Sequence, residues 1–97
     1  MADITSKDLK DRILKILENG RLFYSDHVKK RMVERNYEIS DVLHILRHGH
    51  ILKYTRKGVE KYRCEVHGDD LEGCKGVVIT IVIENTRLIV VTVLGGV

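Results

Sequence analysis

Apolar residues first recur at helical spacing. Leu9, Ile13, Ile16 and Leu17 form one stripe, Thr5 or Ser6 can cap its start, and Asn19-Gly20 supplies a left-handed stop. A short apolar piece, Leu22-Phe23-Tyr24, leads to Ser25-Asp26, a second N-cap signal. The spacing predicts a helix from Asp26 to Arg35, ended by Asn36, and a third from Ser40 with Val42, Leu43, Ile45 and Leu46 inward, closed by Gly49. From Ile51 the period changes to alternation. Strands are expected over 51–54, 59–67, 77–83 and 88–94, with turns at Arg56-Lys57-Gly58 and Asn85-Thr86 and a polar loop over 68–73. The pattern predicts one α+β domain over residues 1–97, its core about 7–94. N-terminal helices are expected to pack on a four-stranded, mostly antiparallel sheet.

The chain has 97 residues, 43% apolar and 32% charged, in keeping with a folded chain and not a disordered one. No apolar run approaches the roughly 20 residues of a membrane helix. The N-terminus lacks a basic-then-apolar leader, so a cytoplasmic protein with no membrane partner is expected. Two cysteines, Cys64 and Cys74, make no secreted disulfide framework.

Net charge is only +3, but residues 21–63 carry eleven basic and five acidic side chains, while residues 65–97 carry two and five. The middle segment is therefore the candidate polyanion-facing surface, or else simply a solvated face. Lys53, Arg56, Lys57, Lys61 and Arg63, interleaved with Tyr54 and Tyr62, suit phosphate contact and base stacking. The same charges could protect an edge strand.

In the second helix, His27, Arg31 and Arg35 follow at i, i+4 and i+8 and project from one side. An imidazole beside two guanidinium groups suits phosphodiester chemistry; the alternative is a set of bonds that docks the helix. His44, His48 and His50 include an i, i+4 pair with metal-ligand spacing, but no carboxylate or thiolate in the segment completes a site. Cys64-x2-His67 with Cys74 lacks a paired knuckle. No metal and no cofactor is expected.

Several segments carry a resemblance: Ser25–Arg35 (SDHVKKRMVER), the following Ile39-Ser-Asp-Val, Tyr62–Gly73 (YRCEVHGDDLEG) and Leu88–Val93 (LIVVTV). Together, over residues 9–94, they resemble an uncharacterised family of small bacterial and archaeal domains grouped with the RelE/ParE-like toxins. The order of elements is similar to that of MqsR-type messenger-RNA interferases. The resemblance implies a RelE-like fold, a toxin–antitoxin setting and RNA cleavage by the ribose 2′-hydroxyl, with RNA and a cognate antitoxin, or another protein, as partners. It implies Lys53, and Tyr62 or Arg63, as catalytic candidates; His27 joins them from the spacing of the second helix. Arg31, Arg35, Tyr54, Arg56, Lys57 and Lys61 are the candidates for holding nucleic acid. Val78 and Leu94 stand where those toxins carry a tyrosine and a lysine. A divergent or degenerate ribonuclease is one expectation, and a non-catalytic protein-interaction module the other.

Overall fold

The computed structural model describes residues 4–95; Met1–Asp3, part of the N-terminal stretch read above for a leader, lie outside them. The elements run α1 (Ser6–Asn19), β1 (Arg21–Tyr24), α2 (Asp26–Glu34), α3 (Ile39–His48), β2 (His50–Gly58), β3 (Lys61–Asp69), β4 (Lys75–Ile83) and β5 (Arg87–Gly95).

The expected run of helices followed by a four-stranded sheet is wrong. The sheet has five strands in the order β1-β5-β4-β3-β2, and it is mixed because β1 pairs parallel with β5. Leu22-Phe23-Tyr24, read above only as an apolar piece, belongs to β1, which separates α1 from α2. Four residues are too few to display a period, and their partner strand lies more than sixty residues downstream. The first turn of the meander also moves. β2 continues to Gly58, and the chain reverses at Val59-Glu60, with Glu60 in the left-handed region at φ 54°. The third helix begins at Ile39, where the Asp41 carboxylate accepts from the Glu38 N–H at 3.0 Å.

The left-handed stop expected at Asn19-Gly20 is absent, because Gly20 is extended at φ −97° as the chain turns directly into β1, but several other local signals hold. The Thr5 hydroxyl accepts from the Asp8 N–H, and the Asp8 carboxylate accepts from the Thr5 N–H. Ser25 caps α2 by accepting from Val28 N–H, and its own hydroxyl donates to the Val91 carbonyl at 2.8 Å, tying α2 to β5. Asn36 takes the left-handed position after α2, at φ 56°.

The core lies between the helices and one face of the sheet. Leu9, Ile13 and Ile16 of α1, Val28 and Met32 of α2, and Val42, Ile45 and Leu46 of α3 meet Tyr62, Cys64, Val66, Val78, Val82, Leu88, Val90 and Val93. Because strand side chains alternate, the intervening residues form a second face on which no described helix packs.

Two contacts hold the helix layer in register with the sheet. A side chain at Gly49 would place its Cβ 2.5 Å from the His67 carbonyl oxygen, so the α3–β2 junction crosses β3 at backbone contact. Lys10 of α1 donates its ammonium to the carbonyls of Leu46 and Gly49 at 2.6 and 2.8 Å, serving the C-terminal end of α3. Burial pulls the Lys10 pKa below the usual lysine range. A Lys10→Met variant is expected to lose about 1–2 kcal/mol of stability, because the carbonyls lose a charged donor. Urea unfolding checks this, with a lower midpoint and an unchanged slope.

Candidate functional site

The register fixes what the open face carries. Its cross-strand rows begin with Lys61, Ile83, Arg87 and Arg21, then Thr55, Arg63, Ile81, Ile89 and Phe23. Next come Lys53, Glu65, Ile79 and Thr92, and last His50, His67, Val77 and Leu94. The β2–β3 half is polar and charged, and the β4–β5–β1 half is apolar apart from the arginine row at its end. Phe23 is 46% exposed and Leu94 41% on this face, whereas Ile79 at its centre is shut in at 1%. A bulge on each flank interrupts the ladder: Leu52 on β2 and Val91 on β5 have no cross-strand partner.

The charged half brings together groups that can act on a phosphodiester. Arg63, Glu65 and His67 alternate along β3, so all three project from the open face. Lys53 stands opposite Glu65, and Thr55 opposite Arg63. The His67 Nε2 lies 3.5 Å from a Glu65 carboxylate oxygen, a pair that is ionic when the imidazole is protonated. Beside His67 an open hollow of about 440 Å³ is lined by Leu52, Gly68, Asp69, Lys75, Gly76 and Val77. Glu65 and His67 were not among the catalytic candidates read from the sequence. The signal was present, since Lys61, Arg63, Glu65 and His67 share one parity along β3, but parity alone does not say which face the helices leave open.

The other candidates are dispersed. Tyr62 is 8% exposed, on the core face of β3, and Tyr54 faces the same side, its hydroxyl donating to the Ile4 carbonyl at 2.9 Å. Neither ring is available to stack on a base above Arg63. Arg56 stands opposite Tyr62 and bonds the Gly58 carbonyl, and Lys57 is the unpaired residue of a second irregularity in β2. Lys53, Lys61 and Arg63 are thus the members of the basic group that share the open face.

The α2 stripe lies in the helix layer, where Val28 and Met32 seat the helix against the core. His27 is exposed there, away from Lys53 and Arg63. Arg31 is half-buried; its Nη1 lies 3.5 Å from Glu34, and its Nε is buried with no hydrogen bond. Arg35 borders a hollow of about 180 Å³ with Tyr37, Asp41, Asp70, Glu72 and Cys74, an acidic setting that disfavours a phosphate. That hollow has a structural job. Buried Asp70 accepts from Glu72 and Cys74 N–H at 2.9 Å each, and Asp41 accepts from Leu71 N–H, so two carboxylates hold the β3–β4 loop. Burial first, and then the Asp70 and Asp41 charges, raise the Tyr37 pKa.

Of the three histidines weighed as ligands, His44 bonds the Asp69 carbonyl through Nδ1 at 2.8 Å and packs on His48 with ring centroids 4.7 Å apart. His50 stands opposite His67 on the open face. Among the described residues no group of three His, Cys, Asp or Glu side chains is placed to hold a metal ion. No described helix is long and apolar enough to cross a membrane.

With this geometry in place, the comparisons with known proteins give one result. A family model described as a domain of unknown function, DUF4258, matches residues 24–94. The chain belongs to the DUF4258 family. The matched segment runs from the end of β1 to β5, so it takes in α2, α3 and the whole antiparallel part of the sheet but excludes α1. No curated protein and no solved structure matches the chain.

Cys64 of this DUF4258 domain is enclosed in the core, and burial pushes its thiol up to about 12 from an ordinary 9.0. A thiol whose pKa is raised by folding adds no pH dependence below the unfolded value. Stability is then lost as pH rises above about 9, where the unfolded thiol ionises and the native one does not. Urea midpoints measured from pH 8 to 11 are expected to fall more steeply for the native sequence than for Cys64→Ala, and 5,5′-dithiobis(2-nitrobenzoate) to reach Cys64 only on unfolding.

Proposed function

We propose that the charged half of the open face binds RNA and cleaves it, with Glu65 and His67 moving protons and Arg63 and Lys53 holding the phosphate. The observation that carries this is the alternation Arg63, Glu65, His67 on a face left open by the helices, with Lys53 directly across from Glu65. It supports an internal transesterification. The Glu65 carboxylate takes the proton of a ribose 2′-hydroxyl, whose oxygen attacks the adjacent phosphorus. The guanidinium of Arg63 and the ammonium of Lys53 stabilise the charge gathered on the non-bridging oxygens. His67 donates a proton to the departing 5′-oxygen, leaving a 2′,3′-cyclic phosphate and a 5′-hydroxyl. The hollow beside His67 offers space for the nucleoside on one side of the scissile bond.

Purified protein incubated with single-stranded RNA is expected to give cyclic-phosphate ends. His67→Ala is expected to lower the rate about 10²–10⁴-fold, the usual contribution of a placed proton donor. Lys53→Ala/Arg63→Ala is expected to weaken binding as well as cleavage. A substrate with a single 2′-deoxyribose at the cut should stay intact at that position. Cleavage that is unchanged in both variants, or absent from the native protein, refutes the proposal.

A second reading, a protein-interaction module such as one that receives a cognate antitoxin, is favoured by the apolar half of the same face, where exposed Phe23 stands beside Ile89 and exposed Leu94 beside Val77. In that case RNA is not cut, and Phe23→Asp/Leu94→Asp is expected to convert an associated species to a monomer in sedimentation experiments.

A further inference from the structure

We infer that the hollow between the end of α1 and the β4–β5 turn is a phosphate-binding subsite that receives the backbone of single-stranded RNA, an extension that rests on the RNA reading above. This hollow, about 610 Å³, is lined by Lys15, Asn19, Arg21, Asn85, Thr86 and Arg87, with Gly20 at its floor. The lining holds three cations and three neutral polar side chains, and no carboxylate.

The placement of the cations is costly for a fold that gains nothing from them. Arg21 and Arg87 are direct partners in the parallel β1–β5 pair, so two arginine side chains leave neighbouring strands whose backbones lie about 4.8 Å apart. Like charges placed opposite each other destabilise a sheet. Two other arginines stand beside carboxylates: Arg12 contacts Glu60 at 2.6 Å, and Arg31 lies beside Glu34. The side chains of Lys15, Arg21 and Arg87 make no hydrogen bond or ion pair among the described residues, although Glu18 and Glu84 are close in sequence. The carbonyl end of α1 carries only about half a negative charge against these three cations.

The backbone below them is held in place. The Arg21 N–H donates to the Thr86 carbonyl at 2.9 Å. A Cβ at Gly20 would fall 2.4 Å from that same oxygen, so strand and turn meet at backbone contact. Two adjacent guanidinium groups on a fixed frame match the oxygens of a phosphate, each offering two parallel donors.

RNA is the favoured occupant because Arg21 and Arg87 belong both to the hollow and to the end row of the open face. Arg87 stands opposite Ile83, which stands opposite Lys61, so the cations line one end of the sheet from β1 to β3. In the next row Phe23 is 46% exposed, placed for a base to stack while the backbone follows the cations. In the same row Arg63 leads to the proposed cleavage site.

The test compares native protein with Arg21→Gln/Arg87→Gln, using a fluorescein-labelled twelve-nucleotide oligouridylate and a series of salt concentrations. The double variant is expected to bind at least about tenfold more weakly, with a salt slope lower by about 1.4, roughly 0.7 for each phosphate contact removed on a single strand. Its cleavage rate at saturating RNA should match the native rate. Phe23→Leu is expected to lower affinity without changing the salt slope. In a second measurement, pyrophosphate should shift the amide resonances of Gly20, Arg21, Thr86 and Arg87 in the native protein but not in the double variant. Equal RNA affinity and slope in the two proteins overturn the subsite even where cleavage by His67 stands. Loss of cleavage in the native protein with these binding differences intact overturns the catalytic proposal alone. Polyglutamate that displaces the oligonucleotide from this hollow with equal affinity assigns it to an acidic protein segment and also overturns the inference.

Discussion

The pairing of β1 with β5 organises this molecule. Only four residues of β1 enter the sheet, yet they join the first part of the chain to its last strand and fix where α1 and α2 lie. Gly20 allows α1 to end against the β4–β5 turn, and Ser25 starts α2 while bonded to Val91 of β5. Both helices therefore return over the same face of the sheet, and α3 follows onto β3 beside them. The hydrophobic side chains of three helices are spent on one surface of the sheet, and the other remains uncovered.

That asymmetry leaves one face of the sheet open. An antiparallel sheet covered on both sides would need apolar residues on both. Here β3 alternates strictly, with Tyr62, Cys64 and Val66 inward and Arg63, Glu65 and His67 outward. β4 and β5 are largely apolar on both sides, Thr80, Thr92 and Arg87 aside, so the open face has a charged half beside a mostly apolar half. Arg21 and Arg87 sit together at one end of that face because the parallel pair sets them there, a juxtaposition that neither strand makes by itself.

Two charged groups outside this face serve architecture. Asp41 and Asp70 hold the β3–β4 loop, with Arg35 bordering the same hollow, and Lys10 serves the end of α3. The family match covers the elements that carry the proposed cleavage groups but excludes α1, which contributes Lys15 to the proposed phosphate subsite. The subsite is thus partly a property of this chain's own N-terminal helix.

Local chemistry determined much of this protein from sequence. The Thr5 and Ser25 caps, the left-handed Asn36, the three apolar helix stripes and the β-branched hairpin of β4 and β5 depend on neighbours within a turn or a few residues, and they were legible. So was the parity of β3, and with it the common side of Arg63, Glu65 and His67. Tertiary structure alone decided that β1 exists, since its partner is distant in sequence and its length is too short for a period. It also decided which face of β3 the helices cover, and so it sent Tyr62 into the core and left Glu65 and His67 in the open. Helical spacing read His27, Arg31 and Arg35 as one stripe, although α2 ends at Glu34, and spacing within one element carries no information about the layer in which that element packs. That depends on how chain segments far apart in sequence share the burial of their apolar surfaces.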